Sequence, residues 1–335
     1  MVSGRLPQDE TARLVFLDTG RAGCDTWARR DEPSRLASER LRTAASREVP
    51  MANAPCSPRV WFITGAGRGL GRAFVEGALA AGERVVATLR RPEVLRPLVE
   101  AHPALLRTLA LDVRDRSAVF TVVEQAHAAF GRLDVVINNA GYGLVGAVEE
   151  VSEAEAREQM DTNFFGALWV TQAVLPVLRA QRSGHIVQIS SVGGVGTMPA
   201  FGLYNASKWA LEAFSEALAA EVADLGIRVT IAELGGFATD WAWGSMRFAS
   251  GLPAYDPLRE RTFGTTRLPW DMSQQPSDTS ADPREAAAAL ARHLTDEGTR
   301  PLRLIVGADA PEHVSMALAK RRDDYRKNPG FAWPA

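Results

Sequence analysis

Cysteine and histidine are scarce: 335 residues hold two cysteines and five histidines. Cys24 and Cys56 are too few for a disulfide framework, and no Cys-x-x-Cys or His-x-x-x-His spacing occurs, so no metal site is expected. No apolar run approaches the ~18 residues that suggest a membrane span. An excess of charge is missing too. With 38 basic and 40 acidic side chains, the formal net charge is -2. That balance leaves no electrostatic footprint for nucleic acid or an anionic membrane. What is present, 46% hydrophobic and 23% charged residues, is ordinary for a globular protein, and a reducing, cytoplasmic setting is the simple expectation.

The first fifty residues differ from the rest, with nine Arg, eight acids, no Lys and no sustained period. The acids argue against a transit peptide, and no signal-type apolar stretch occurs. Residues 1–54 read as a flexible extension, with a short regulatory arm as the alternative. Met51 stands directly before the ordered pattern and is a candidate start. From Arg59 onward, short runs rich in Val, Ile and Leu (60–63, 84–88, 108–111, 135–137, 185–189, 228–232 and 302–306) suit strands buried on both faces of a parallel sheet. Helical patterns lie between them at 71–81, 117–130, 153–181, 204–224 and 283–294. This alternation predicts an α/β fold, a doubly wound parallel sheet in a single domain over 55–308. Residues 241–281 break the rhythm and read as an insertion over the ligand crevice. In the tail, 309–335, the run Lys320-Arg321-Arg322 reads as a solvated helix face.

Thr64-Gly65-Ala66-Gly67-Arg68-Gly69-Leu70-Gly71 follows the first strand and opens the first helix. Glycines let backbone approach a pyrophosphate, and the helix N-terminus supplies N–H groups and positive dipole. No Gly-Lys-Ser/Thr follows, which disfavours a P-loop. Downstream, Tyr204 and Lys208 stand four apart on a helical pattern, so their side chains share one face. A tyrosine near pKa ~10 is poorly matched to neutral proton transfer, and a nearby ammonium favours its phenolate.

This turn, with Tyr204-Asn205-Ala206-Ser207-Lys208, Asp112-Val113, Asn138-Asn139-Ala140-Gly141, Asn163 and Ser190-Ser191 in order, resembles the short-chain dehydrogenase/reductase family. The resemblance runs over about 59–240 and extends to about 308. It implies a Rossmann fold and an oxidoreductase that interconverts a ketone or aldehyde and an alcohol by hydride transfer. It further implies that Gly65, Gly67, Arg68, Gly69, Leu70 and Gly71 hold the cofactor's phosphates. Asp112 should meet the adenine amino group with Val113 beside the ring, while the backbone of Asn139, Ala140 and Gly141 lines the cleft. Tyr204 is then the proton donor or acceptor, Lys208 holds the nicotinamide ribose, and Ser191 bonds the substrate oxygen. Asn163 orders a water relaying protons to Lys208. Ser190 is the competitor to Ser191, which the thirteen-residue interval to Tyr204 favours.

An NAD-specific site of this type places an acid where this chain has Leu89, followed by Arg90 and Arg91. Arginine can pair with a 2′-phosphate, so NADP(H) is the preferred cofactor, with NAD(H) admitted. The family's Pro-Gly-x-x-x-Thr appears as Leu234-Gly235-Gly236-Phe237-Ala238-Thr239. Leucine replaces the proline, while Gly235, Phe237 and Thr239 remain candidates for the nicotinamide side. Trp241, Trp243, Phe248, Tyr255 and Trp270 crowd the insertion, either lining an apolar substrate pocket or forming the lid's own core. The expected partner is a small carbonyl or alcohol substrate of apolar character, and the resemblance implies a homodimer or homotetramer. Two other functions fit less well. A catalytically idle NADP-binding regulator does not need the full Ser191–Tyr204–Lys208–Asn163 set, and a sugar-nucleotide epimerase normally carries a large C-terminal substrate domain.

Overall fold

Seven short apolar strands, all parallel, form the centre of the molecule: β1 (Val60–Thr64), β2 (Arg84–Leu89), β3 (Leu106–Ala110), β4 (Val135–Asn138), β6 (Gly184–Ile189), β7 (Ile227–Leu234) and β9 (Arg303–Val306). The computed structural model describes residues 57–238, 245–269, 281–296, 300–332 and 334. The expectations for residues 1–54, and for Thr239, Trp241, Trp243 and Trp270, lie outside these. All described residues belong to one compact unit, Cys56–Ala335.

Sheet order is β3-β2-β1-β4-β6-β7-β9. The order reverses between β1 and β4, and a crevice opens there at the carboxyl ends of the strands. Helices cover both faces, as continuous burial along the strands requires. On one face α1 (Gly69–Ala80) and α8 (Pro283–Thr295) pack over a cluster that includes Phe74, Ile137, Leu234 and Leu290. On the other, α3 (Arg116–Phe130), α5 (Gly166–Gln181) and α6 (Gly202–Val222) cover Phe62, Val136, Ile186 and Leu218. No helix among the described residues is long and apolar enough to cross a membrane.

Four features depart from the sequence pattern. The helix expected over 153–181 is two, α4 (Glu153–Met160) and α5, joined by a π-helical turn at Asp161–Phe165. A short α2 (Arg96–Ala101) precedes β3. Two-residue strands β5 (Leu144–Val145) and β8 (Arg247–Phe248) pair in parallel, tying the 245–269 segment, with its helix α7 (Asp256–Phe263), to the domain. Last, the tail forms α9 (Ala310–Tyr325), which returns to the crevice.

Candidate active site

A cleft of about 1530 Å³ opens at the carboxyl ends of the strands. That exceeds the ~300–1,000 Å³ of a small-ligand pocket, so a dinucleotide and a second molecule both find room. Gly71 shows why its floor is glycine-rich: a Cβ there would stand 2.4 Å from the Gly65 carbonyl oxygen and 2.5 Å from Asn139 Nδ2. Asn139 holds this floor by donating from Nδ2 to the Thr64 carbonyl at 2.9 Å. Arg68, at the N-cap of α1, makes no side-chain cap bond, so the helix's first N–H groups have no cap from that residue. This is a fitting seat for a pyrophosphate.

Elsewhere on the cleft, Arg114 grips Asp112 at 2.6 Å and Glu158 at 2.8 Å. The Arg114 guanidinium holds the Asp112 carboxyl below the usual carboxylate range, with Arg90 adding a smaller contribution. Arg90 and Arg91, both exposed, line the cleft beside Leu89, and neither has a carboxylate partner among the described residues.

The opposite wall is built by α6 and the loop after β6. Ser191 caps a 3-10 turn there, its Oγ accepting from Gly193 N at 3.1 Å. Tyr204 is buried in α6, its hydroxyl hydrogen-bonded with Ser191. Burial pushes the phenol up, and the Ser191 bond opposes that shift. The net direction differs from the sequence expectation, because desolvation outweighs the opposing Ser191 hydrogen bond. Lys208, one turn on, donates from Nζ to the Ile189 carbonyl at 2.8 Å and lies 5.9 Å from the Tyr204 ring centre. Burial lowers its pKa to about 8, partly offset by Glu212 a further turn along. The Ser190 hydroxyl is buried against Glu212.

Asn163 stands behind this wall, in the π turn, and does not line the cleft. Its Nδ2 donates to the Tyr142 carbonyl at 2.9 Å and to Ser207 Oγ at 3.1 Å, while Oδ1 accepts from Tyr142 N at 3.0 Å. Both amide hydrogens are therefore committed to protein. Leu70, Gly71, Val113, Ala140, Gly141, Gly235 and Phe237 all line the cleft.

Three contributors were missed in the sequence. Asn205 fixes the Ser191 loop, donating to Gly193 O at 3.0 Å and accepting from Met198 N at 3.3 Å. Asp309 accepts from Gly236 N at 3.1 Å, and a Cβ at Gly235 would meet its Oδ1 at 2.1 Å. The loop in which Leu234 replaces proline is thus held from outside, and Gly235 is required by close approach. Third, α9 supplies part of the rim. Only the adjoining residue types in the motifs hinted at Asn205; nothing in the pattern signalled Asp309.

In the insertion, Phe248 packs beside a cluster of Phe201 and Tyr204. Tyr255 instead bonds Glu149 Oε2 at 2.7 Å and is not part of the cleft wall. Of the two roles weighed for these aromatics, neither Phe248 nor Tyr255 lines the cleft: Phe248 packs against the Phe201–Tyr204 cluster, and Tyr255 helps anchor the insertion.

A family profile described as short chain dehydrogenase matches residues 59–247. The chain belongs to this family. It is a nicotinamide-dependent oxidoreductase of the carbonyl/alcohol type. Oxidoreductase BOA17 of Botryotinia fuckeliana (strain B05.10) is 41% identical over 260 residues, 77% of this chain and 92% of that protein. A crystal structure of a short-chain dehydrogenase from Streptomyces avermitilis is 40% identical, with TM-score 0.72 over 81% of this chain and 96% of that one. A further relative, NADPH-dependent 3-dehydrocapnine reductase of Ornithobacterium rhinotracheale, is 32% identical over 239 residues, 70% of this chain and 82% of that protein.

Proposed function

We propose that this dehydrogenase uses NADP(H) to interconvert an apolar ketone or aldehyde and its alcohol, with Tyr204 as proton donor in reduction and acceptor in oxidation. The observation that carries the reading is the hydrogen-bonded Ser191–Tyr204 pair with Lys208 one turn away, on the cleft wall facing the glycine floor. When bound, the nicotinamide supplies or takes the hydride. Ser191 and Tyr204 present two hydroxyls to one substrate oxygen, so the oxygen is oriented as well as protonated. The raised phenol keeps its proton until an alkoxide-like oxygen develops beside it. Lys208, anchored on Ile189, keeps further N–H donors for the ribose hydroxyls, and its charge favours loss of the phenolic proton. Asn163 braces both sides of the cleft through Tyr142 and Ser207, and with its amide hydrogens spent it would order a relay water through a carbonyl oxygen.

The preference for NADP(H) is supported by Arg90 and Arg91 at the end of β2, where no acid stands to repel a 2′-phosphate. The NADPH dependence named for the Ornithobacterium relative points the same way. Apolar substrate character is supported by Met198, Phe201 and Met246 along the cleft. Assay of a panel of ketones and aldehydes with NADPH and with NADH tests the reading. Turnover favouring NADPH is expected, shifting towards NADH in Arg90→Asp. Tight NADPH binding without turnover of any carbonyl would favour the idle regulator, and an unchanged cofactor ratio in the variant would remove Arg90 from the assignment.

A further inference from the structure

The basic run of the tail divides in the structure. Arg322 points away and pairs with Asp323 at 3.1 Å. Lys320 and Arg321 line the cleft instead. Helix α9 is held against the loop that carries Ser191 and against α6 by three contacts. Arg321 Nη2 donates to the Val195 carbonyl at 2.5 Å, and its guanidinium lies 4.2 Å from the Trp209 ring centre. A Cβ at Gly196 would stand 3.1 Å from that of Ala317, so the two backbones approach closely. The position of α9 relative to Ser191 and Tyr204 is thereby fixed.

Met198 and Met316, 45% and 53% exposed although both are large and apolar, line the same cleft as those two hydroxyls. Exposed methionines on two elements of one cleft offer adaptable apolar surface. One turn along α9 from Met316, Lys320 lines the cleft too, with Arg321 beside it, and neither has a carboxylate partner among the described residues. Three acids line the cleft, and cations already hold each: Asp324 pairs with Lys327 at 3.2 Å, Asp112 with Arg114, and Glu158 with Arg114 and Arg247. Apolar walls beside two uncompensated cations match a molecule with an apolar middle and an anionic end.

We infer that α9 forms a distal subsite, and that the preferred carbonyl compound carries an anionic group at the end remote from its carbonyl, read by Lys320 with Arg321. The inference rests on the proposed reaction at Tyr204, because that places the carbonyl at Ser191 and sends the rest of the molecule towards α9. Lys320 is exposed, so its attraction is modest and screened by salt.

The test compares oxo-carboxylic acids of increasing chain length with their methyl esters, using NADPH at low ionic strength. At the best length, kcat/KM for the acid should exceed that for the ester about two- to fivefold. The ratio should approach one in Lys320→Gln, invert in Lys320→Glu, and shrink in wild type as salt rises. Equal use of acid and ester at every length overturns the subsite, as does a preference that survives Lys320→Glu. Those results leave the reaction standing. Failure of every acid and every ester to turn over would instead overturn the reaction and, with it, the subsite.

Discussion

Lys208 sits where burial works against the charge its role requires, and its pKa falls to about 8. The lowered value means the folded protein favours the neutral amine, so the ammonium is present below about pH 8 and lost as pH rises through it. Reduction also needs a protonated Tyr204, which burial favours well past neutrality. The alkaline limb of kcat/KM for reduction is therefore expected near pH 8, set by Lys208 rather than by the phenol. A pH–rate profile checks this. Lys208→Arg, which cannot titrate in that range, should remove the limb, and a limb unmoved in that variant would assign it elsewhere. At this scale the sequence was most readable where a residue type is forced by chemistry. Gly65, Gly71, Ser191, Tyr204 and Lys208 all stand at the cleft, because spacing along one strand, turn or helix fixes where they point. Asp309 was unreadable: its partner Gly236 is far away in sequence, and the close approach of Gly235 exists only once β7 and β9 are paired.

Among the elements, strands were legible from their apolar runs, since strands buried on both faces need near-continuous apolar residues. The π turn was not. One extra residue in a helical turn barely alters an apolar period, yet it carries Asn163, whose amide clamps Tyr142. Strands β5 and β8 have only two residues each and carry no period at all. The 245–269 segment depends on more than that short pairing. Arg259, whose side chain is 4% exposed, pairs with Glu150, 1% exposed, and also donates to the Leu252 carbonyl at 2.7 Å. Glu150 Oε1 in turn accepts from Leu252 N at 2.7 Å. Removing one partner strands a buried charge, at a cost of ~3 kcal/mol. Arg259→Ala should therefore raise local opening of this segment by about a hundredfold, read as faster limited proteolysis within 245–269 and a higher KM for substrate. Cleavage at the wild-type rate would show that the segment is anchored elsewhere.

Across the whole molecule, the crevice at the carboxyl ends of the strands is supported by a buried polar chain nearer their amino ends. His185 Nε2 lies 2.8 Å from Thr230 Oγ1, which lies 2.9 Å from His293 Nε2, linking β6 and β7 to α8. Burial first, then the nearby Arg228, lowers the His185 pKa to about 3. The unfolded chain would bind a proton at His185 near pH 6.5, whereas the folded one would not until about pH 3. Stability is thus present above pH 6.5 and lost as pH falls towards 3, by about 2 kcal/mol between pH 7 and pH 5 from this group. Urea unfolding at those two pH values should show a smaller loss in His185→Gln by about that amount; equal losses would mean that His185 is not the group responsible. The same scale explains what the alternating pattern could not convey. Strand order and the crevice follow from the right-handed crossover rule. The return of α9 to the rim instead depends on Arg321 reaching Val195 across 126 positions.

The central claim, that Tyr204 moves the proton, is tested most directly by measuring NADPH affinity and carbonyl turnover side by side in Tyr204→Phe. The ring and its packing against Phe201 remain, and only the hydroxyl is lost. NADPH should bind within about twofold of wild type while kcat falls by about a hundredfold or more, the usual scale for a lost general acid. Near-normal kcat with intact NADPH binding would contradict the account.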